Sequence, residues 1–326
     1  MASISPPWEH VHAGHKARFA HPVVARADGS VIQLPVLAAR GVRPGKTLLV
    51  TAGVHGDEFE GMAALYRMFE EIDAGQLRGS LVAVPVANPP AYEAGLRCNP
   101  DDRQDLARVF PGDRGGTVTE QLAHCLTGQF LPFVDFYLDL HSAGQYYRMP
   151  PLVGYQLRPE PLLSSQRAAA RAFGMPLIWG TPGYPGRSLS AAAEAGVPSL
   201  YAEITGEGRC LAADVASYHD GLRRLLGHLE MIEAVPAAPL PQWFVEDDSP
   251  RAGFLQVQNR APVGGFFEAE VSVLDKVQEG QRLGLIRETM GREVHLVAAP
   301  HGGLVVFLRT FPRVQAGDAL CTVLRL

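Results

Sequence analysis

The chain has 326 residues, 47% hydrophobic and 19% charged, the profile of a globular protein long enough for one large domain and a small one. Its net charge of −5, with no long run of one sign, offers no basic face for phosphates and argues against nucleic-acid binding. No apolar run reaches spanning length, the start MASISPPWEHVHAGHK lacks the apolar core of a signal peptide, and Cys98, Cys125, Cys210 and Cys321 are scattered without a CxxC pair, so a reduced, cytoplasmic protein without membrane contact is expected.

Residues 23–36 read as short strands around the turn ADGS, and KTLLVTAGV as a buried strand ending in glycine. From Asp57 the apolar spacing becomes helical, through Phe59, Met62, Leu65, Phe69 and Ile72. SLVAVPVAN is the next strand, followed by a long loop from Pro89 to about Gly116. TVTEQLAHC opens a helix with a capping box, VDFYLDLHSAG is a strand, and PLLSSQRAAARAFG is a helix. PLIWG, SLSAAAEAG and PSLYAEITG then read as strand, helix and strand, and DVASYHDGLRRLLGHLEMI as a long amphipathic helix. This alternation predicts an α/β domain over residues 1–235, with a largely parallel, helix-covered sheet. The Pro/Ala-rich stretch EAVPAAPLPQW reads as a linker, and the texture after it predicts a small all-β domain within residues 236–326.

His55 and Glu58 lie three residues apart where a strand gives way to a helix, so both side chains reach one point. Imidazole nitrogen and carboxylate oxygen are zinc ligands at ~2.0–2.2 Å, but a catalytic zinc site needs a third protein ligand. Alone the pair is a weak signal, since most such pairs are solvated surface residues. His141, at the end of another predicted strand, is the candidate, since parallel strands bring their C-terminal ends together. Asp139, two residues before it on the same strand face, either orients His141 or is an ordinary salt-bridged aspartate. Glu203 ends an apolar strand, where a carboxylate is costly without a task; beside a metal-activated water it would serve as general base, with Glu207 the fallback. Arg97, Arg103, Arg108 and Arg114 crowd the long loop, suited to holding a carboxylate or an oxyanion, or paired in solvent.

In order and spacing, GVHGDEFEG, NPPAYEAGLR, DLARVFPG, DLHSAG and AEITGEG resemble the succinylglutamate desuccinylase/aspartoacylase family, zinc deacylases related to the metallocarboxypeptidases. The resemblance covers most of residues 30–235. It implies a zinc carboxypeptidase-like fold with a mixed, largely parallel sheet, and one Zn2+ per chain held by His55, Glu58 and His141. It implies Glu203 as the catalytic carboxylate, Arg97 as the residue polarising the scissile carbonyl, and Arg108 as the grip on the substrate carboxylate. Asn88 and position 107 fall on the substrate side. The family commonly has Asp-Leu-Asn-Arg where this chain has Asp105-Leu106-Ala107-Arg108, so Ala107 lacks an amide donor and the substrate is the open point.

Several signals carry less. GVRPGKT has the wrong glycine spacing for a phosphate loop and precedes a strand. His10, His12, His15 and His21 read as a surface segment rather than a second metal site, and Tyr146, Tyr147, Tyr155 and Tyr184 as packing residues or pocket walls. The C-terminal stretch DKVQEGQRLGLIRETMGREVHLVAAPHGGLVV resembles a biotinyl/lipoyl β-barrel, but Gly291 and Arg292 stand where the attachment lysine would be, leaving a structural cap or a homo-oligomer contact. The expected activity is zinc-dependent deacylation of a small N-acyl amino acid. A carboxypeptidase acting on short peptides is the alternative, and a non-enzymatic binding protein a third reading.

Overall fold

The computed structural model describes residues 5–26 and 28–326. Its main sheet has nine strands: β1 (His15–Ala25), β2 (Val31–Arg40), β3 (Arg43–Thr51), β4 (Arg78–Val84), β5 (Phe136–Leu140), β7 (Leu152–Leu157), β8 (Leu177–Pro182), β9 (Ser199–Glu203) and β10 (Trp243–Glu246). Their order across the sheet is β1-β2-β4-β3-β5-β9-β7-β8-β10. Pairing is parallel from β4 through β3 and β5 to β9, and from β7 through β8 to β10. It is antiparallel between β1 and β2, β2 and β4, and β7 and β9. The sheet is therefore mixed and largely parallel, as the alternation of elements implied.

Helices α1 (Glu60–Glu71), α4 (Leu162–Phe173) and α6 (Ala212–His228) cover one face, and α3 (Val118–Cys125) and α5 (Ser188–Glu194) the other; the short α2 (Pro89–Ala94) opens the long loop. Period-two alternation divides the strands between two cores. Leu48, Val50, Leu138 and Leu140 pack with Leu65, Phe69 and Leu225, whereas Leu49, Val82 and Tyr137 pack with Leu122, Phe130 and Leu189. Phe69 is fully buried, and truncating such a side chain to alanine costs ~3–5 kcal/mol. The Thr117/Glu120 capping box forms at the start of α3. The hairpin β1–β2 is longer than the turn pattern suggested, and β7 and β10 were not legible in sequence. No helix among the described residues is long and apolar enough to cross a membrane.

Beyond residue 246 the chain is all β, with β11 (Gly265–Ala269), β12 (Lys276–Val277), β13 (Arg282–Arg287), β14 (Glu293–Ala298), β15 (Gly303–Arg309), β16 (Arg313–Val314) and β17 (Cys321–Leu324) in two small sheets. The exchange between the two regions runs both ways. Strand β10, beyond the Pro/Ala-rich stretch, joins the large sheet beside β8, and β6 (Tyr147–Arg148) joins β15 of the tail. Met149, Leu152, Leu177 and Trp179 share one apolar cluster with Leu304, Val306, Phe307 and Leu324, which fixes the tail against the sheet.

Candidate active site

Strands β3, β5 and β9 are consecutive and parallel, with Thr51 level with Asp139 and Leu140 level with Ala202. Their C-terminal ends thus deliver His55, His141 and Glu203 to one place. Helix α1 starts only at Glu60, so His55 and Glu58 sit in the turn entering it rather than on its first turn. That turn is pinned by Gly56, where a Cβ would come within 2.0 Å of the Ala91 carbonyl carbon; only glycine lets the turn lie this close to α2.

Glu58, 3% exposed, is gripped from both sides: Oε1 lies 2.7 Å from His55 Nδ1 and Oε2 3.0 Å from His141 Nδ1. The Ser142 backbone N–H donates to Oε2 as well, at 3.1 Å. Each imidazole turns its other nitrogen to a carboxylate, His55 Nε2 lying 3.1 Å from Asp105 Oδ1 and His141 Nε2 3.2 Å from Asp139 Oδ2. Asp139 in turn accepts from Thr51 and Ser188 hydroxyls, both at 2.6 Å. Asp139 thus touches His141 and two hydroxyls at once, a contact common to both readings left open for it.

Burial opposes a charged Glu58, but the two imidazoles outweigh it and hold the carboxyl well below its usual range. Burial likewise disfavours charge on Asp105 and His141, and their partners reverse it. His55 and Arg97 lower the Asp105 carboxyl, and Asp139 and Glu58 raise the His141 imidazole. Donor atoms of His55, Glu58 and His141 lie within 4.8 Å of one another. With both Nε2 atoms turned to carboxylates, the two Nδ1 atoms and the Glu58 oxygens converge. A buried carboxylate with two carboxylate-backed imidazoles is a donor set suited to zinc.

Arg97 reaches in from the long loop, Nη2 3.1 Å from Asp105 Oδ2 and Nη1 3.6 Å from Glu58 Oε1. Burial works against its charge, but Asp105 and Glu58 hold the guanidinium more firmly protonated than usual. Glu203 ends β9 at the cavity wall. Burial pushes its carboxyl up to about 7, against the pull of His141.

These side chains line a cavity of about 320 Å³. Arg108 and the buried Ala107 are in its wall, as is Arg187, a residue the sequence did not single out. No ion pair involves Arg108 or Arg187 among the described residues. Gly186, at φ +80, packs against the Arg108 carbonyl and accepts from the Phe110 N–H, joining the two arginine loops. Burial and the neighbouring Arg108 lower the Arg187 guanidinium to about 10. The tail closes the cavity with Ala252–Val257 and Phe307. There the Phe254 ring meets Tyr184 edge-on at 4.5 Å, and the Arg187 guanidinium lies 5.4 Å from the Phe254 ring centre.

The structure does not bring Asn88 to this cavity. It is fully buried, accepts from the Ala91 N–H at 3.4 Å as the N-cap of α2, and donates to the Val54 carbonyl at 3.4 Å. Glu207, the fallback base, lies in the loop after β9 and outside the cavity wall. Asp105 was hidden inside the DLAR motif; its signal was an aspartate positioned to cap the short turn Leu106–Arg108, which it does through the Ala107 N–H at 2.9 Å. Arg187 had only a weak signal, a lone cation in the glycine- and proline-rich loop after β8.

Residues 44–229 match the sequence profile of the succinylglutamate desuccinylase/aspartoacylase catalytic domain. The N-alpha-acetyl-L-2,4-diaminobutyric acid deacetylase of Halomonas elongata is 30% identical over 306 residues, spanning 91% of this chain and 86% of that one. The product-bound ectoine utilization protein EutE (DoeB) of Ruegeria pomeroyi superposes with a TM-score of 0.88 at 27% identity, covering 98% of each chain. A succinylglutamate desuccinylase from Silicibacter sp. TM1040 superposes with a TM-score of 0.87, also at 27% identity and 98% coverage of each chain.

Proposed function

Because the chain belongs to the succinylglutamate desuccinylase/aspartoacylase family, we propose that it is a zinc-dependent hydrolase that removes the acyl group from a small N-acyl amino acid. The observation that carries this reading is the convergence of His55, Glu58 and His141, each imidazole backed by a carboxylate, with Glu203 and Arg97 on one cavity. The Halomonas elongata relative, named for deacetylating an N-acetylated amino acid, supports the reaction class.

His55 Nδ1, His141 Nδ1 and Glu58 would hold the metal, which when bound supplies a Lewis acid that makes a water acidic near neutral pH. Asp105 and Asp139 fix the two imidazoles with Nδ1 turned inward. Arg108 and Arg187 bind the substrate carboxylate; Arg187 takes over the part for which Ala107 has no amide. Glu203, held near neutrality by burial, accepts a proton from the attacking water and returns it to the departing nitrogen. Arg97 donates to the carbonyl oxygen as negative charge grows there. One water and one amide give a carboxylic acid and an amine.

We assign residues 1–235 to catalysis and 236–326 to a β domain that lends β10 to the catalytic sheet and walls the site. That wall favours small substrates over peptides, against the carboxypeptidase alternative. Four free thiols fit a reducing compartment. Metal analysis together with turnover of a panel of N-acyl amino acids tests the proposal; hydrolysis confined to peptides would refute it.

A further inference from the structure

The loop that carries Arg187 into the cavity wall is tied down at three points. Before Arg187, the Gly186 carbonyl accepts from the Phe110 N–H at 3.2 Å. After it, the Ser190 hydroxyl donates back to the Tyr184 carbonyl at 2.6 Å and accepts from Gln156 Nε2 of β7 at 2.9 Å. Between these two ties, the Ser188 hydroxyl reaches across to β5 and donates to Asp139 Oδ2 at 2.6 Å. That same oxygen lies 3.2 Å from His141 Nε2. Ser188 and Asp139 are both buried, so water competes little for either contact. The path from the residue beside Arg187 to the His141 imidazole is therefore two contacts long. Asp139 also has a second hydroxyl on its other oxygen: Thr51 donates to Oδ1 at 2.6 Å and lies 2.7 Å from the Tyr137 hydroxyl. Thr51 ends β3 and has no hydrogen bond to the Arg187 loop among the described residues. Two hydroxyls thus fix the plane of one carboxylate, and Ser188 is the one that joins it to that loop.

We infer that Ser188 is a positioning residue that holds the His141 imidazole, through Asp139, in register with the Arg187 guanidinium, through the loop backbone. Metal binding and carboxylate binding are thereby coupled by one hydroxyl, and such coupling acts in both directions. The inference rests on the zinc amide-hydrolase reading of this cavity. Removing the hydroxyl leaves Asp139 Oδ2 with the imidazole alone and releases the entry to α5, of which Arg187 is the N-cap. The first-turn amides of Ser190 and Ala191, which donate to the Arg187 carbonyl at 3.1 and 3.2 Å, report on that release.

The test compares the wild type with Ser188→Ala, Ser188→Thr and Thr51→Val. Ser188→Ala should lower zinc affinity about tenfold, read by competition with a chromophoric chelator, and raise KM for a hydrolysed N-acyl amino acid about tenfold with a smaller change in kcat. Ser188→Thr restores the hydroxyl and should return both values towards the wild type. Thr51→Val should lower zinc affinity and leave KM unchanged. Either effect without the other in Ser188→Ala, no recovery in Ser188→Thr, or an equal rise in KM in Thr51→Val overturns the inference. A further measurement needs no turnover. Saturating zinc should slow hydrogen exchange at the Ser190 and Ala191 amides of the wild type and not of Ser188→Ala; equal slowing, or none, overturns the inference. If no N-acyl amino acid is hydrolysed while zinc still slows exchange in the wild type alone, the amide-hydrolase reading fails and the tie through Ser188 stands.

Discussion

His55 and Asp105 are fifty residues apart in the chain and 3.1 Å apart in space, and the same aspartate holds Arg97 through its other oxygen. One carboxylate therefore holds both the imidazole that faces Glu58 and the guanidinium proposed to polarise the substrate carbonyl. Asp105→Asn keeps the shape but weakens the acceptor for both. Loss of such a partner lowers metal affinity or activity about 10–100-fold. Competitive zinc titration should show the affinity falling while the melting temperature of the metal-saturated protein stays close to that of the wild type. Unchanged zinc affinity would remove Asp105 from the site.

Glu203 is the group expected to move the proton. Glu203→Gln should retain zinc and lose about 10²–10⁴-fold in kcat. Burial raises the carboxyl to about 7, and a general base works only when deprotonated, so wild-type kcat/KM should fall as pH drops through that value. The acidic limb should vanish from whatever residual rate the variant keeps. Substantial activity in Glu203→Gln would reassign the base.

Arg187 lines the same cavity as Ala107 and Arg108 and forms no ion pair among the described residues. If it replaces the missing amide at position 107, Arg187→Met should raise KM with a smaller change in kcat. Hydrogen bonds to charged groups contribute ~1.5–3 kcal/mol, which corresponds to roughly 10–100-fold in KM. Adding Ala107→Asn to that variant should recover part of the loss. A fall in kcat alone would place Arg187 in the chemistry rather than in carboxylate binding.

What the sequence revealed and what it hid follow from the range of the interactions. His55, His141 and Glu203 were legible because a polar, metal-capable or acidic residue at the end of an apolar strand is costly unless it has a task, and parallel strands align those ends. The capping box of α3 was legible because both partners lie within one turn. Asp105 was not, since its partner His55 is fifty residues away in the chain, and Arg187 was not, since its place in the cavity wall depends on the packing of its loop on the Arg108 carbonyl at Gly186. Strand β7 was missed because LVGYQL follows two prolines and pairs antiparallel with β9 in an otherwise parallel region. Strand β10 lies beyond a stretch whose composition reads as a linker, and only its pairing with β8 returns it to the large sheet. Asn88 was placed on the substrate side by its position in a motif; in the structure its side chain caps α2 and lies outside the cavity wall.

Glu60 provides a stability test apart from catalysis. It is fully buried at the start of α1, its Oε2 accepts from the Phe59 N–H at 3.2 Å, and its Oε1 has no partner among the described residues. Burial raises its carboxyl to about 7 from an ordinary 4.5. A carboxyl raised in the folded state holds its proton while the unfolded chain gives it up, so the stability it contributes is present below about 4.5 and is lost as pH rises through about 7. Glu60→Gln removes that titration. At one pKa unit per ~1.4 kcal/mol, the variant should gain up to about 3 kcal/mol on the wild type between pH 5 and pH 8. Urea midpoints at the two pH values measure the gain. A difference that does not change with pH would mean that Glu60 is ionised in the folded protein.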